Sequence, residues 1–136
     1  MSENQIHLKV ISHENIVYES DINELYVQAL DGRIGILPNH VPVVCGLDIG
    51  VAKTINAQEV KNIVVMGGIL QFANNNAIIL TDNAELDSDI DIVRAKNARE
   101  RAEARLKAKD DNVDSVRAQI ALSKAIARIN ARELKY

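Results

Sequence analysis

The side chains best suited to chemistry in this chain are arginines and a lysine set at helical spacing in its last third. Asp91 and Arg94 stand three apart, which places them on one face of a helix, and Arg101 follows seven residues later, two turns along the same side. Lys124 and Arg128 are four apart and share a face in the same way. Guanidinium groups grip phosphate oxygens through paired hydrogen bonds, a geometry that an ammonium only partly reproduces. Two such sets converging from neighbouring helices would hold a phosphate-bearing ligand. Left apart, they are ion pairs on a wet surface, worth a few tenths of a kcal/mol each. Spacing alone favours the second arrangement.

Other chemistry is hard to assemble. His7, His13 and His40 share no metal-ligand spacing, and the chain has no phosphate-cradling Gly-x-x-x-x-Gly-Lys-[Ser/Thr], Gly-x-Gly-x-x-Gly or Gly-x-Ser-x-Gly pattern. No nucleophile, base and orienting partner can be combined, so the chain reads as a non-catalytic protein without a metal. The single cysteine, Cys45, excludes a disulfide within the chain and a Cys-based zinc site. Lying in Val43-Val44-Cys45-Gly46, it reads as core filler. His40, between two prolines, reads as an exposed loop residue or local hydrogen-bonding partner. The aromatics are Tyr18, Tyr26, Phe72 and Tyr136, too few for stacking bases, so nucleic acid is not an expected partner.

The elements that must position these residues follow from where glycine and proline stop. All 6 glycines and both prolines precede residue 69. Their absence afterwards favours uninterrupted helix. Charge divides similarly: Met1 to Val93 holds 4 Lys/Arg against 13 Asp/Glu, whereas Arg94 to Tyr136 holds 12 against 6, balances of -9 and +6 that give the net -3. Period-2 alternation over 5–11, then short apolar runs over 15–19, 22–30, 47–55, 60–66, 69–73 and 77–80, predict strands in an antiparallel sandwich or flattened barrel. Asp31-Gly32 marks a tight turn, and 34–42 a loop. Asp87-Ser88-Asp89 offers capping chemistry for a helix over 90–108, with Ala95, Ala98, Ala102 and Leu106 along one stripe. Residues 109–112 break it and cap a second helix over 113–134, with Val116, Ile120, Ala127 and Ala131 on one side. The division expected is a β module over 1–87 and a weakly held antiparallel helical hairpin over 88–136. No basic-then-apolar start reads as a signal peptide, and no apolar run approaches the roughly 20 residues of a spanning helix. The expectation is a cytoplasmic polypeptide that meets a membrane only through a partner.

Two motifs carry a resemblance. Gly32-Arg33-Ile34-Gly35-Ile36-Leu37-Pro38-Asn39-His40-Val41-Pro42 resembles the loop signature of the epsilon subunits of bacterial and chloroplast F-type ATP synthases, and Ile90-Asp91-Ile92-Val93-Arg94-Ala95 with the following Lys96 to Glu103 resembles that family's helical motif. The likeness spans essentially the whole chain. It implies a ten-stranded antiparallel β-sandwich followed by a two-helix hairpin. It also implies a rotor subunit of the central stalk that binds the gamma subunit and the ring of c subunits, peripheral to the bacterial inner membrane or thylakoid on the cytoplasmic or stromal face. The helices are implied to reach the alpha and beta subunits of the catalytic head and block ATP hydrolysis. No cofactor is required, but ATP is implied as a regulatory ligand favouring the folded, non-inhibitory hairpin. Glu85, Ile90, Asp91, Arg94, Ala95, Arg101 and Arg128 match the family's ATP-binding positions, and Lys124 stands where ATP-binding members carry arginine, keeping the charge without the fork. His40 matches a position near the gamma and c-ring contacts of the rotor interface, and Arg33 beside it stands where many relatives carry an acidic or polar residue. The rival reading is an unrelated β-sandwich binding a small ligand or acting as an adaptor, with helices that dimerise.

Overall fold

Alternation of apolar and polar residues closes the first part of the chain into two layers. The computed structural model describes residues 4–108 and 114–133. In β1 (Ile6–Ser12) every second side chain is buried, with Ile6, Leu8 and Val10 fully enclosed. Then come β2 (Asn15–Ile22), β3 (Glu24–Ala29), β4 (Gly32–Ile36), β5 (Val43–Asn56), β6 (Glu59–Ala73), β7 (Asn76–Thr81) and β8 (Ala84–Leu86). The hydrogen-bonded order is β2-β1-β7-β6-β5-β3-β4, with β8 pairing β6 on the edge opposite β5, further along from β7.

The long β5–β6 hairpin serves both layers. Its outer part, Val43–Leu47 against Gly68–Phe72, continues into β7, β1 and β2 as the upper layer, whereas Ile49–Asn56 against Glu59–Met66 continues into β3, β4 and β8 as the lower layer. Side chains from both layers, including Leu8, Leu25, Val27, Ile63, Leu70 and Ile79, meet in one core. The ten strands expected are therefore eight among the described residues, because β5 and β6 each run unbroken through both layers. The sandwich is also not wholly antiparallel: β1 and β7 pair in parallel.

The bend needs glycine. Gly67 and Gly68 take φ of +81° and +123°, and a Cβ on Gly68 would stand 2.0 Å from the carbonyl oxygen of Leu80. That oxygen belongs to the neighbouring strand and cannot swing away. Outside the core, His7 on β1 clamps β2: Nε2 lies 2.6 Å from a Glu19 carboxylate oxygen and Nδ1 lies 2.7 Å from one of Asp21. Both ring nitrogens can donate at once only in the imidazolium.

Helix α1 (Ile92–Ala108) and helix α2 (Ser115–Glu133) pack together, and α2 lies against β5 and β6. The first helix begins two residues later than expected because Asp87–Asp89 forms a 3-10 turn, and the cap is Asp91, whose carboxylate accepts the Arg94 amide at 3.1 Å. Asp87 instead accepts the Asn62 amide at 3.1 Å, fastening the linker to the sheet. Asp114 caps α2 by accepting the amides of Val116 and Arg117; residues 109–112, read as break and cap, lie outside the described residues.

The expected stripe on the second helix is corrected. Val116 and Ile120 are exposed, and the buried residues are Ala118, Ala125, Ala127, Ile129 and Ala131. Ala127 and Ala131 pack with Val51, Val64 and Ile90. Val116 and Ile120 lie two to three turns before that contact, too far along the helix to share it. On α1, Ala95 and Ala102 are buried as the alanine pattern suggests, with Ala98 and Leu106 half-buried.

Gly68→Ala should destabilise the sandwich by more than about 3 kcal/mol, combining backbone strain with overlap on fixed backbone, read from urea unfolding. A second outcome concerns pH. The hydrogen bonds to Asp21 and then Glu19 raise the His7 pKa above the ordinary 6.5. The clamp thus contributes fully below the unfolded value and is lost as pH rises through the raised folded one. Urea midpoints should fall across that window, and His7→Gln should flatten the fall.

Candidate functional site

Where the hairpin leans on the sandwich, side chains from both parts enclose a cleft of about 340 Å³ lined by Glu85, Asp89, Ile90, Asp91, Arg94, Ala95, Ala98, Arg101 and Arg128. Each element delivers its share for a local reason. Glu85 comes from β8, which pairs with Ile63–Val65 and so fixes the edge of the lower layer. Ile90 is buried against Val51 and Val64, pinning the start of the helical part. The capped first turn then projects Arg94 and Ala95, and Ala98 and Arg101 follow at one and two turns. Arg128 reaches in from α2.

Arg128 and Glu85 form a two-pronged ion pair, Nε to one carboxylate oxygen at 2.8 Å and Nη2 to the other at 2.9 Å. Both side chains are under one-third exposed, 29% and 28%. The hydrogen bonds that Arg128 donates to Glu85 raise its pKa above the guanidinium's ordinary value although burial pulls it down, so the charge is permanent. The Asp91 carboxylate is occupied by the helix cap. The side chains of Arg94 and Arg101 are exposed and carry no ion pair with the described residues. The cleft thus offers two guanidinium groups open to an anion, beside an apolar wall of Ile90, Ala95 and Ala98. A volume of this size lies at the lower end of ordinary small-ligand pockets.

Seven of the eight residues singled out as a nucleotide site share this cleft; Lys124, half-buried one turn before Arg128, is not among its lining. Arg94 meets Asp91 through its backbone amide rather than as a side-chain pair. Arg33 donates from Nη1 to the Val51 carbonyl at 3.0 Å and lines a second cleft, of about 290 Å³, with Asp48, Ser123 and Asn130 beside α2. His40 stands in the β4–β5 loop, exposed, its Nδ1 donating to the Val41 carbonyl at 2.6 Å and its ring edge-on to Phe72. Burial, and then Asp31, push the half-buried Cys45 thiol up, keeping it protonated where it packs against the core. Sequence reasoning missed the Glu85–Arg128 pair, and also Lys96–Glu133 at 2.7 Å, which sets the antiparallel register of the helices. No local pattern signals contacts between residues 43 and 37 positions apart.

The fold and cleft define a two-part chain, a β-sandwich carrying a docked helical hairpin with an arginine-lined site at the junction. Residues 5–87 match the family profile described as the ATP synthase delta/epsilon chain beta-sandwich domain, and residues 88–133 match the delta/epsilon chain long alpha-helix domain. An ATP synthase epsilon chain of Lactiplantibacillus plantarum is 41% identical over 103 residues, 74% of this chain and 72% of that one. Those of Pediococcus pentosaceus and Syntrophomonas wolfei are 42% and 38% identical, covering 79% and 82% of this chain and 78% and 82% of theirs. A chain in the structure of the Euglena gracilis mitochondrial ATP synthase (OSCP, F1 and c-ring) shares the fold at a TM-score of 0.81 and 21% identity, over 91% of this chain and 79% of that one. The chain belongs to the ATP synthase delta/epsilon chain family, and the relatives it aligns with are epsilon chains.

Arg128→Lys, which keeps the charge and removes the fork, should cost about 1–2 kcal/mol in urea unfolding once solvent screening is allowed for. Arg128→Ala should cost more, by leaving the Glu85 carboxylate half-buried and alone.

Proposed function

We propose that this chain is a non-catalytic central-stalk subunit of an F-type ATP synthase, whose sandwich anchors it to the rotor and whose helical part regulates ATP hydrolysis. The carrying observation is the cleft at the junction, which joins Glu85 of the sandwich to Arg94 and Arg101 of α1 and Arg128 of α2. A ligand seated there touches both parts and so favours their docked arrangement over any other, which is the requirement for a regulatory ligand. ATP suits the chemistry: Arg94 and Arg101 would hold phosphates, and the wall of Ile90, Ala95 and Ala98 would take a base. Lys124, one turn outside, adds charge at longer range.

Anchoring uses the outer face of the upper layer. Across its paired strands runs a row of Ile69, Leu80, Ile11 and Ile16, with Leu30 lying over Gly46 at one end. Leu30 is 71% exposed and Ile16 53%. A contiguous apolar row on water is a docking surface, here for the gamma subunit. The loop bearing His40, with Leu37 and Val41 exposed beside it, faces the c-ring, and Arg33 lies on the lower layer. Among the described residues no helix is long and apolar enough to cross a membrane, so association with the membrane runs through the complex, on the face that carries the catalytic head. The basic helices, once extended, seek acidic surfaces of the alpha and beta subunits, an attraction that salt weakens.

The test is ATP hydrolysis by a catalytic head lacking this subunit. The full chain should inhibit, and a chain ending at residue 87 should bind gamma equally well without inhibiting. Loss of gamma binding on truncation would refute the division of labour. ATP should compact the full chain and Arg94→Ala should abolish the response; an unchanged titration would remove the nucleotide from the reading.

A further inference from the structure

The surface on which α2 rests contains one feature that works against docking. Asn62, on β6 directly before the apolar run Ile63 to Met66, is 6% exposed and lies beneath the end of α2. Its Nδ2 donates to the Ala131 carbonyl, at a long 3.4 Å. Its Oδ1 is buried and has no hydrogen-bond partner among the described residues. Turning the amide over gives no relief, because an oxygen would then face the Ala131 carbonyl. The rest of the contact is apolar: Val51, Val64, Ile90, Ala127 and Ala131, with Ile49 and Met66 at its margin. A buried acceptor without a donor is a standing penalty that water would remove as soon as the helix lifted.

We propose that Asn62 is a built-in release element, a positioning residue that aligns the last turn of α2 through Ala131 while keeping the docked hairpin only marginally stable through its unpaired carbonyl. Alignment and weakness come from the two ends of one amide. The linker stays behind when the hairpin leaves, because Asp87 is bound to the backbone amide of the same Asn62. The pivot therefore falls between Asp87 and the Asp91 cap. The functional consequence, though not the physical one, rests on the regulatory reading above.

The experiment is hydrogen exchange of α2 amides in the full chain, comparing it with Asn62→Leu, which is near Asn in shape and has no acceptor. Opening of α2 should slow by about tenfold or more, with the amides of β1 and β3 unchanged. Should Leu perturb the sandwich, Asn62→Val provides the second variant, a smaller strand-favouring side chain that also lacks an acceptor and gives the same direction of change. Exchange in α2 that is unaltered or faster in a variant with an intact sandwich overturns the proposal. Inhibition of the catalytic head is read in parallel. Slower exchange with weaker inhibition supports both the release element and the regulatory reading. Slower exchange with unaltered inhibition upholds Asn62 and counts against the regulatory reading alone.

Discussion

Everything distinctive about this molecule depends on how firmly α2 rests on the sandwich. The contact is made largely by alanines, which allow close approach but remove little apolar surface from water per residue. Larger aliphatic side chains, in a contact spaced to receive them, would bury far more and hold the helix more firmly. The polar ties, Glu85–Arg128 at the rim and Asn62–Ala131 beneath the helix, have the opposite character: they are strict about position and modest in net strength. Specific seating with small net stability is the combination a movable element requires, since two states separated by more than a few kcal/mol cannot be shifted by a ligand.

The sandwich, in contrast, is built not to move. Its core is a single cluster of buried side chains, aliphatic but for Phe72, and the β5–β6 hairpin runs through both layers, so neither layer can slide without breaking the other. Closure has a conformational requirement, met by paired glycines at the bend. The contrast between the two parts follows composition. The glycines all lie before residue 69 and branched aliphatics are densest before residue 94, whereas alanines and basic side chains are densest after it. One part obtains stability from burial, the other mostly from its own backbone hydrogen bonds.

Much of this was legible in the sequence, for identifiable reasons. The alternation in Ile6–Ser12 and the run of helix-formers after Ile92 are local signals, and the structure follows them. Strand number was not legible, because nothing at Asp48 or Gly67 says whether a chain ends one strand or bends it. The stripe on α2 was misjudged at Val116 and Ile120: apolar residues were given the buried side, whereas position along the helix relative to the sheet decided the matter. The arginines of the cleft were found by spacing and by resemblance. Glu85 as the partner of Arg128 needed three dimensions, and so did Asn62, an amide ahead of four apolar residues that periodicity treats as an ordinary interruption.

The burial of α2 between two neighbours has a geometric consequence. Ala118, Ala125 and Ile129 fall on one side of the helix, and Ala127 and Ala131 fall roughly on the opposite side at about 100° per residue. In the docked hairpin, α1 and the sheet cover these two sides. Freed from both, the helix has no single wet face and no single dry one. Such a rod matches a sleeve better than a plane, for only surroundings that close around it can cover both stripes together. The same alanines keep it slender. A channel between subunits suits it, whereas a lone flat surface would always leave one side bare.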